Sequence, residues 1–160
     1  MSFLDRSGGP APAAPEPEEF ALELPSDLRH IESVVAYLEN RLRELEYGGP
    51  RLTLNFRVGM CEALANAMIY GNGRDATKRV RVSVTLDRAR VSLMVSDEGA
   101  GFDPDCVPDP TAPANRERTG GRGIFLLRKL MDEVEYNACG NAVRLVLNRE
   151  GPVRSRASGE

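Results

Sequence analysis

The sequence predicts an α+β fold, a two-layer α/β sandwich whose mostly antiparallel sheet is covered on one face by helices. Three observations predict it. Segments 20–25, 78–86 and 90–97 show period-two alternation, the stretch after Pro25 repeats apolar residues at helical spacing, and the elements follow one another as strand, helix, helix, two strands, loop, helix, two strands. With 160 residues, 41% of them hydrophobic and 28% charged, the chain is long enough for one domain with a sizeable core.

Residues 1–19 are rich in Pro, Ala, Gly and Glu and read as a disordered tail. Residues 20–150 are then the folded domain, and 151–160 a flexible C-terminal tail. FALELP (20–25) alternates Phe20, Leu22 and Leu24 against polar or small residues and stops at Pro25. The first helix follows, capped by Ser26 or Asp27. Leu28, Ile31, Val34, Leu38, Leu42 and Leu45 give its spacing, and Gly48-Gly49 its end. The second helix runs from about Arg51 to Tyr70 and ends at GNG (71–73).

KRVRVSVTL (78–86) puts Val80, Val82, Val84 and Leu86 on one face, and RVSLMVSD (90–97) returns with Val91, Leu93 and Val95. From Phe102 to Arg118 periodicity is lost and prolines recur at 104, 108, 110 and 113. A loop of that length within a compact domain is functional or disordered. TGGRG (119–123) leads into a third helix, IFLLRKLMDE, and VEYNACGNAVRLVLN closes the fold as a hairpin turning near Gly140-Asn141.

Composition excludes several function classes. The net charge is −3, so no broad basic surface invites nucleic acid or anionic membrane. No apolar run approaches the roughly 20 residues that span a bilayer, and no signal peptide opens the chain, so a cytoplasmic location is expected. Cys61, Cys106 and Cys139 match no zinc spacing, and Cys61 reads as a small core side chain. His30, the sole histidine, sits in a polar helical stretch and reads as a surface residue.

Three places break the pattern. Glu62 and Asn66 stand four residues apart within an otherwise apolar helix, hence on one face. They form either a solvated edge or a site where a carboxylate accepts a proton and an amide oxygen holds Mg2+. Asp97 continues the period of Val91, Leu93 and Val95 and so turns inward. Its partners are either N–H groups of a turn or the exocyclic amine of a purine. Gly99 and Gly101 allow positive φ or close approach to a flat ring. Gly120, Gly121 and Gly123 precede a helix, which gives either a flexible cap or a phosphate cradle of free N–H groups. Taken as an ordered set, the three breaks point to a nucleotide.

EALANAMIYGN resembles the N box of the Bergerat-fold ATPases, the superfamily of gyrase, histidine kinases and MutL. DEGAGFDP is similar to its first glycine box, and TGGRGIFLLRKLMDEVEY to its second. The short domain, the EALxNA form and MDEV further resemble the serine kinases that act as anti-sigma factors in bacterial partner switching. The likeness spans about residues 20–148. It implies ATP and Mg2+ as cofactors, Asn66 as the Mg2+ ligand and Glu62 as the catalytic base. It also implies Asp97 on the adenine amine, with Gly99 and Gly101 shaping that pocket. Gly121 and Gly123 would hold phosphates with Thr119 and Gly120 nearby, and 103–118 would be the ATP lid. Arg116, Arg118 and Arg122 are all candidates for the γ-phosphate. Tyr70 stands where many of these kinases have His, and the Pro-rich tail lies outside the family pattern.

The resemblance further implies two protein partners, a sigma factor and a STAS-domain antagonist, with Arg29 as a contact and a homodimer as the assembly. It implies no direct nucleic-acid contact. A catalytically silent ATP-binding switch and a detached histidine-kinase ATPase domain are the alternatives.

Overall fold

The computed structural model describes residues 16–106 and 122–149. Thr119, Gly120, Gly121, Arg116, Arg118 and most of the lid (107–118) lie outside the described residues, as do 1–15 and 150–160.

Among the described residues five strands form one antiparallel sheet. They are β1 (Glu18–Pro25), β2 (Arg79–Leu86), β3 (Arg90–Ser96), β4 (Glu133–Tyr136) and β5 (Ala142–Asn148), in the spatial order β1-β2-β3-β5-β4. Strand alternation decides which face is buried. Val80, Val82, Val84, Val91, Leu93, Val95, Leu145 and Leu147 are buried on one side. The other side is polar, with Arg81 paired to Glu23, and Arg144 to Glu133 and Glu135. The expected α+β sandwich is the observed architecture.

β1 begins at Glu18, earlier than its apolar residues suggest, and Glu18 and Glu19 pair with Leu86 and Thr85. Composition had assigned both glutamates to the tail. An edge strand needs only backbone partners and leaves such side chains in water, so their polarity hid them.

Three helices cover the buried face: α1 (Ile31–Glu44), α2 (Pro50–Asn66) and α3 (Arg122–Leu130). Before α1, a 3-10 turn at Leu28–His30 is capped by Asp27, whose carboxylate accepts from the Arg29 N–H at 3.0 Å. α1 ends before the glycines expected to stop it. Glu46 takes φ 60°, and the N–H groups of Glu46 and Tyr47 bond the carbonyls of Arg43 and Leu42 at 3.0 and 2.8 Å. That is a Schellman closure with glutamate in the left-handed position.

α2 is the central helix. Leu52, Phe56, Met60 and Leu64 are buried along it, and each such side chain contributes roughly 1.5–3 kcal/mol by leaving water. Cys61 packs against the core while only half-buried, so it sits at the core's edge rather than inside it. The last stretch of the helix, Ala67–Gly71, is wound as a π-turn, with the Asn72 N–H reaching the Ala67 carbonyl at 2.7 Å. Single π-turns of this kind often mark functional sites.

α3 ends at Leu130, short of the expected Glu133. Asp132 leaves it to join the sheet: its N–H bonds the Val146 carbonyl and its carboxylate accepts from Asn148 N–H and Arg51. Among the described residues no helix is long and apolar enough to cross a membrane.

Candidate functional site

A cavity of about 650 Å³ opens between the second half of α2, the start of α3 and the ends of β3 and β5. That size is ordinary for a small-molecule site. Glu62, Asn66, Asp97, Gly101, Arg122 and Gly123, six of the residues singled out in the sequence, line it together. Its floor is apolar, supplied by residues such as Ala63, Val95 and Leu127.

At one end α2 meets α3. A Cβ built on Gly123 would stand 2.8 Å from Glu62 Oε2 and 3.0–3.1 Å from the Asn66 amide atoms. The missing side chain is what lets both polar groups lie against the first turn of α3. That turn carries backbone N–H groups without helical partners and the positive end of the helix dipole. A carboxylate, an amide group and the N–H groups that open α3 therefore converge on one place. The carboxylate and the amide oxygen are hard donors of the kind Mg2+ takes, and the N–H groups suit an anion. Among the described residues no cluster of three or more His, Cys, Asp or Glu side chains could hold a metal unaided.

At the other end is Asp97, the residue after β3. Its Oδ1 accepts from the Gly99 N–H at 2.8 Å, and its own N–H donates to the Asn141 carbonyl at 2.9 Å. Burial raises its carboxyl above the ordinary 3.8, with the Gly99 N–H and the distant Lys78 charge opposing. One carboxylate oxygen thus serves the turn, and the side chain still lines the cavity.

The glycines around Asp97 serve backbone packing. A Cβ on Gly71 would stand 2.3 Å from the Asp97 carboxylate, and one on Gly99 would stand 2.0 Å from the Gly71 carbonyl oxygen. Gly101 takes φ +79°, and its hydrogen faces the Cys139 carbonyl, 1.7 Å from where a Cβ would be. Gly99 itself does not line the cavity; it brings the Asp97 turn onto the end of α2.

Glu62 and Gly71, both lining the cavity, are nine positions apart along α2 and the π-turn that continues it. Tyr70 stands on the rim, 71% exposed. Phe102 and Tyr136 close one wall as an edge-to-face pair, ring centroids 5.1 Å apart.

Three contributors escaped the sequence reading. Tyr136 looked like an ordinary strand residue and Phe102 like the start of a loop. Asn72 read as part of a helix stop, yet it is buried and bonded on every side. The only signal for it was an amide directly after a glycine. Arg29 is exposed on the first turn with its guanidinium paired to Asp27 at 2.6 Å, and His30 is exposed beside it.

Comparison with known proteins adds the lineage of this arrangement. A family model described as the histidine kinase-like ATPase domain matches residues 24–147. The chain is 27% identical over 89 residues to a serine-protein kinase RsbW of Oceanobacillus iheyensis, covering 52% of this chain and 56% of that protein. It is 33% identical over 109 residues to an anti-sigma F factor of Bacillus cereus, covering 66% of this chain and 68% of that one. A Bacillus thuringiensis anti-sigma F factor is 32% identical over 108 residues, with the same shares.

Proposed function

The chain belongs to the histidine kinase-like ATPase domain family, which implies ATP binding, and from that premise we propose that it is an ATP-dependent serine/threonine protein kinase and anti-sigma factor. In this reading it holds a sigma factor inactive and phosphorylates a STAS-domain antagonist in a bacterial partner-switching system. The observation that carries the reading is the convergence of Glu62 and Asn66 on the start of α3, in the cavity that Asp97 also lines. The likeness to a serine-protein kinase and to anti-sigma F factors supports a protein hydroxyl as the acceptor and a sigma factor as a partner.

In the proposed reaction the adenine amine donates to Asp97 and the phosphates lie toward Gly123. Asn66 would hold Mg2+, whose chemistry when bound is to neutralise phosphate charge. Glu62 takes the proton of the incoming hydroxyl. The hydroxyl oxygen forms a bond to the γ-phosphorus, the bond to the β-phosphate oxygen breaks, and ADP departs. N–H groups at the first turn of α3 accommodate charge that develops on the phosphoryl oxygens. Such transfer depends mainly on positioning and charge, which suits a site with few chemical groups. By the family resemblance Gly121 would hold phosphate with Thr119 and Gly120 nearby, and one of Arg116, Arg118 and Arg122 would steady the γ-phosphate.

Arg29 is the proposed partner contact, and a homodimer the proposed assembly. The position of Glu62 beside Asn66 disfavours a catalytically silent switch, which would need no base. A detached histidine-kinase half would transfer to a histidine on another chain, and acid-stable phosphate on the partner would exclude it. Glu62→Gln tests the reading: nucleotide binding should persist while transfer to the antagonist falls about 100-fold or more. Full transfer by that variant would remove Glu62 from the mechanism.

A further inference from the structure

Asn72 is 2% exposed and bound on all sides. Its Nδ2 donates to Ser26 Oγ at 2.6 Å and to the Arg79 carbonyl at 2.9 Å, while its Oδ1 accepts from the Glu98 N–H at 2.8 Å. The orientation of the amide is forced. Exchanging oxygen and nitrogen would set oxygen against a carbonyl and NH2 against an N–H. Ser26, 4% exposed, is buried with it, and the Ser26 N–H is held by the Lys78 carbonyl at 3.1 Å.

The tie has a direction. It joins the end of the α2 π-turn to the start of β2 and to the residue after Asp97. The Asp97 turn is thereby pinned at two points: Asp97 N–H to Asn141 on the β5 side, and Glu98 N–H to Asn72 on the helix side. The first hydrogen bond fixes the strand end. The second fixes the rotation of the turn about it, and with that the line along which the Asp97 carboxylate faces the cavity. Gly71, next to Asn72, is in van der Waals contact with that carboxylate and with Gly99, so a shift at Asn72 reaches Asp97 directly.

We infer that Asn72 is the positioning residue for base selection: it holds the Asp97 carboxylate where it discriminates a purine bearing a 6-amino group from one bearing a 6-oxo group. This rests on the proposed reading of Asp97 as the acceptor for the adenine amine. An acceptor held rigidly favours a donor and repels a carbonyl oxygen, whereas one on a loose turn can rotate away from either. The phosphate-end residues Glu62 and Asn66 lie ten and six residues before Asn72, and the Asn72 side chain bonds Ser26, Arg79 and Glu98 instead of them.

The experiment compares equilibrium binding of Mg-ATP and Mg-ITP to the full chain carrying Asn72→Ala, Asn72→Asp or Ser26→Ala, with a melting curve for each. Asn72→Asp keeps the acceptor for Glu98 N–H while turning both donors into acceptors, so it retains discrimination at a lower melting temperature. Ser26→Ala likewise lowers stability without changing the ATP-to-ITP ratio. Asn72→Ala should weaken ATP by about tenfold and leave ITP nearly unchanged. Equal loss of both nucleotides in Asn72→Ala, or an unchanged ratio, would overturn the inference and make Asn72 a stability residue only. A native chain that binds ATP and ITP equally would overturn it together with the Asp97 assignment. A native chain that binds neither would instead sink the nucleotide reading itself.

Discussion

Asp97 shows how one side chain can carry opposite consequences for folding and for binding. Its carboxyl is raised above 3.8 by burial. The folded, unliganded protein therefore holds that proton more tightly than the unfolded chain does. This group adds stability as pH falls through the raised value and withdraws it as pH rises. ATP binding has the other sign, because the ionised carboxylate is the better acceptor. In the window just above pH 3.8, ATP affinity should fall with falling pH while this group's share of the unliganded stability rises. Asp97→Asn should remove both pH dependences and weaken ATP at neutral pH, as titration calorimetry would read; unchanged affinity would refute the adenine contact. Asp97 was legible in the sequence because it broke a period of two. Asn72 was not, because nothing local distinguishes a buried amide from one that merely ends a helix. Its three partners come from positions 26, 79 and 98, and only the fold brings them together.

At the scale of elements, the strands were readable because a half-buried antiparallel sheet imposes alternation directly on the chain. Helix ends were less so. The sequence offered Gly48-Gly49 as the stop for α1, but the chain reverses at Glu46, in the left-handed region where a Cβ is unfavourable. Glu46→Gly should therefore stabilise the protein by roughly 0.5–1 kcal/mol, since relief of strain exceeds the entropy that glycine adds to the unfolded chain. Urea denaturation would detect this, and a loss of stability would contradict the assigned closure. Glycines near the site make the reverse case. A Cβ on Gly99 would meet backbone at 2.0 Å, whereas Gly48 has nothing within 4 Å. Gly99→Ala should cost about 1–3 kcal/mol and weaken ATP, while Gly48→Ala should leave both nearly unchanged. The π-turn at 67–71 was read as ordinary helix, because a one-residue change in winding leaves the apolar pattern intact.

On the scale of the whole molecule, the cavity is a product of topology. α2 carries the proposed phosphate-end groups Glu62 and Asn66, and the π-turn that continues it ends at Gly71, the glycine that receives Asp97. β3 delivers Asp97, and the crossover from β3 to β4, past the position that β5 then fills, carries α3. The sequence could name the pieces and their order. It could not show that Gly99 and Gly101 pack backbone on backbone, since that depends on segments from residues 71 and 139. Ligand binding to such a cavity should be visible globally. At free Mg-ATP a hundredfold above its Kd, stability should rise by about 2.7 kcal/mol, and Tm by roughly 5–10 °C.

The central claim is that this cavity transfers the γ-phosphate of ATP to a hydroxyl on a partner protein. The most direct measurement is capture of partners from native lysate on the tagged chain with γ-labelled Mg-ATP, with Mg-ADP and without nucleotide, the acid-stable phosphate then being mapped. The account predicts a sigma factor and a STAS-domain protein among the captured chains, with label on a serine or threonine of the latter that Glu62→Gln nearly abolishes. Nucleotide-dependent capture with no acid-stable phosphate on any partner would contradict it.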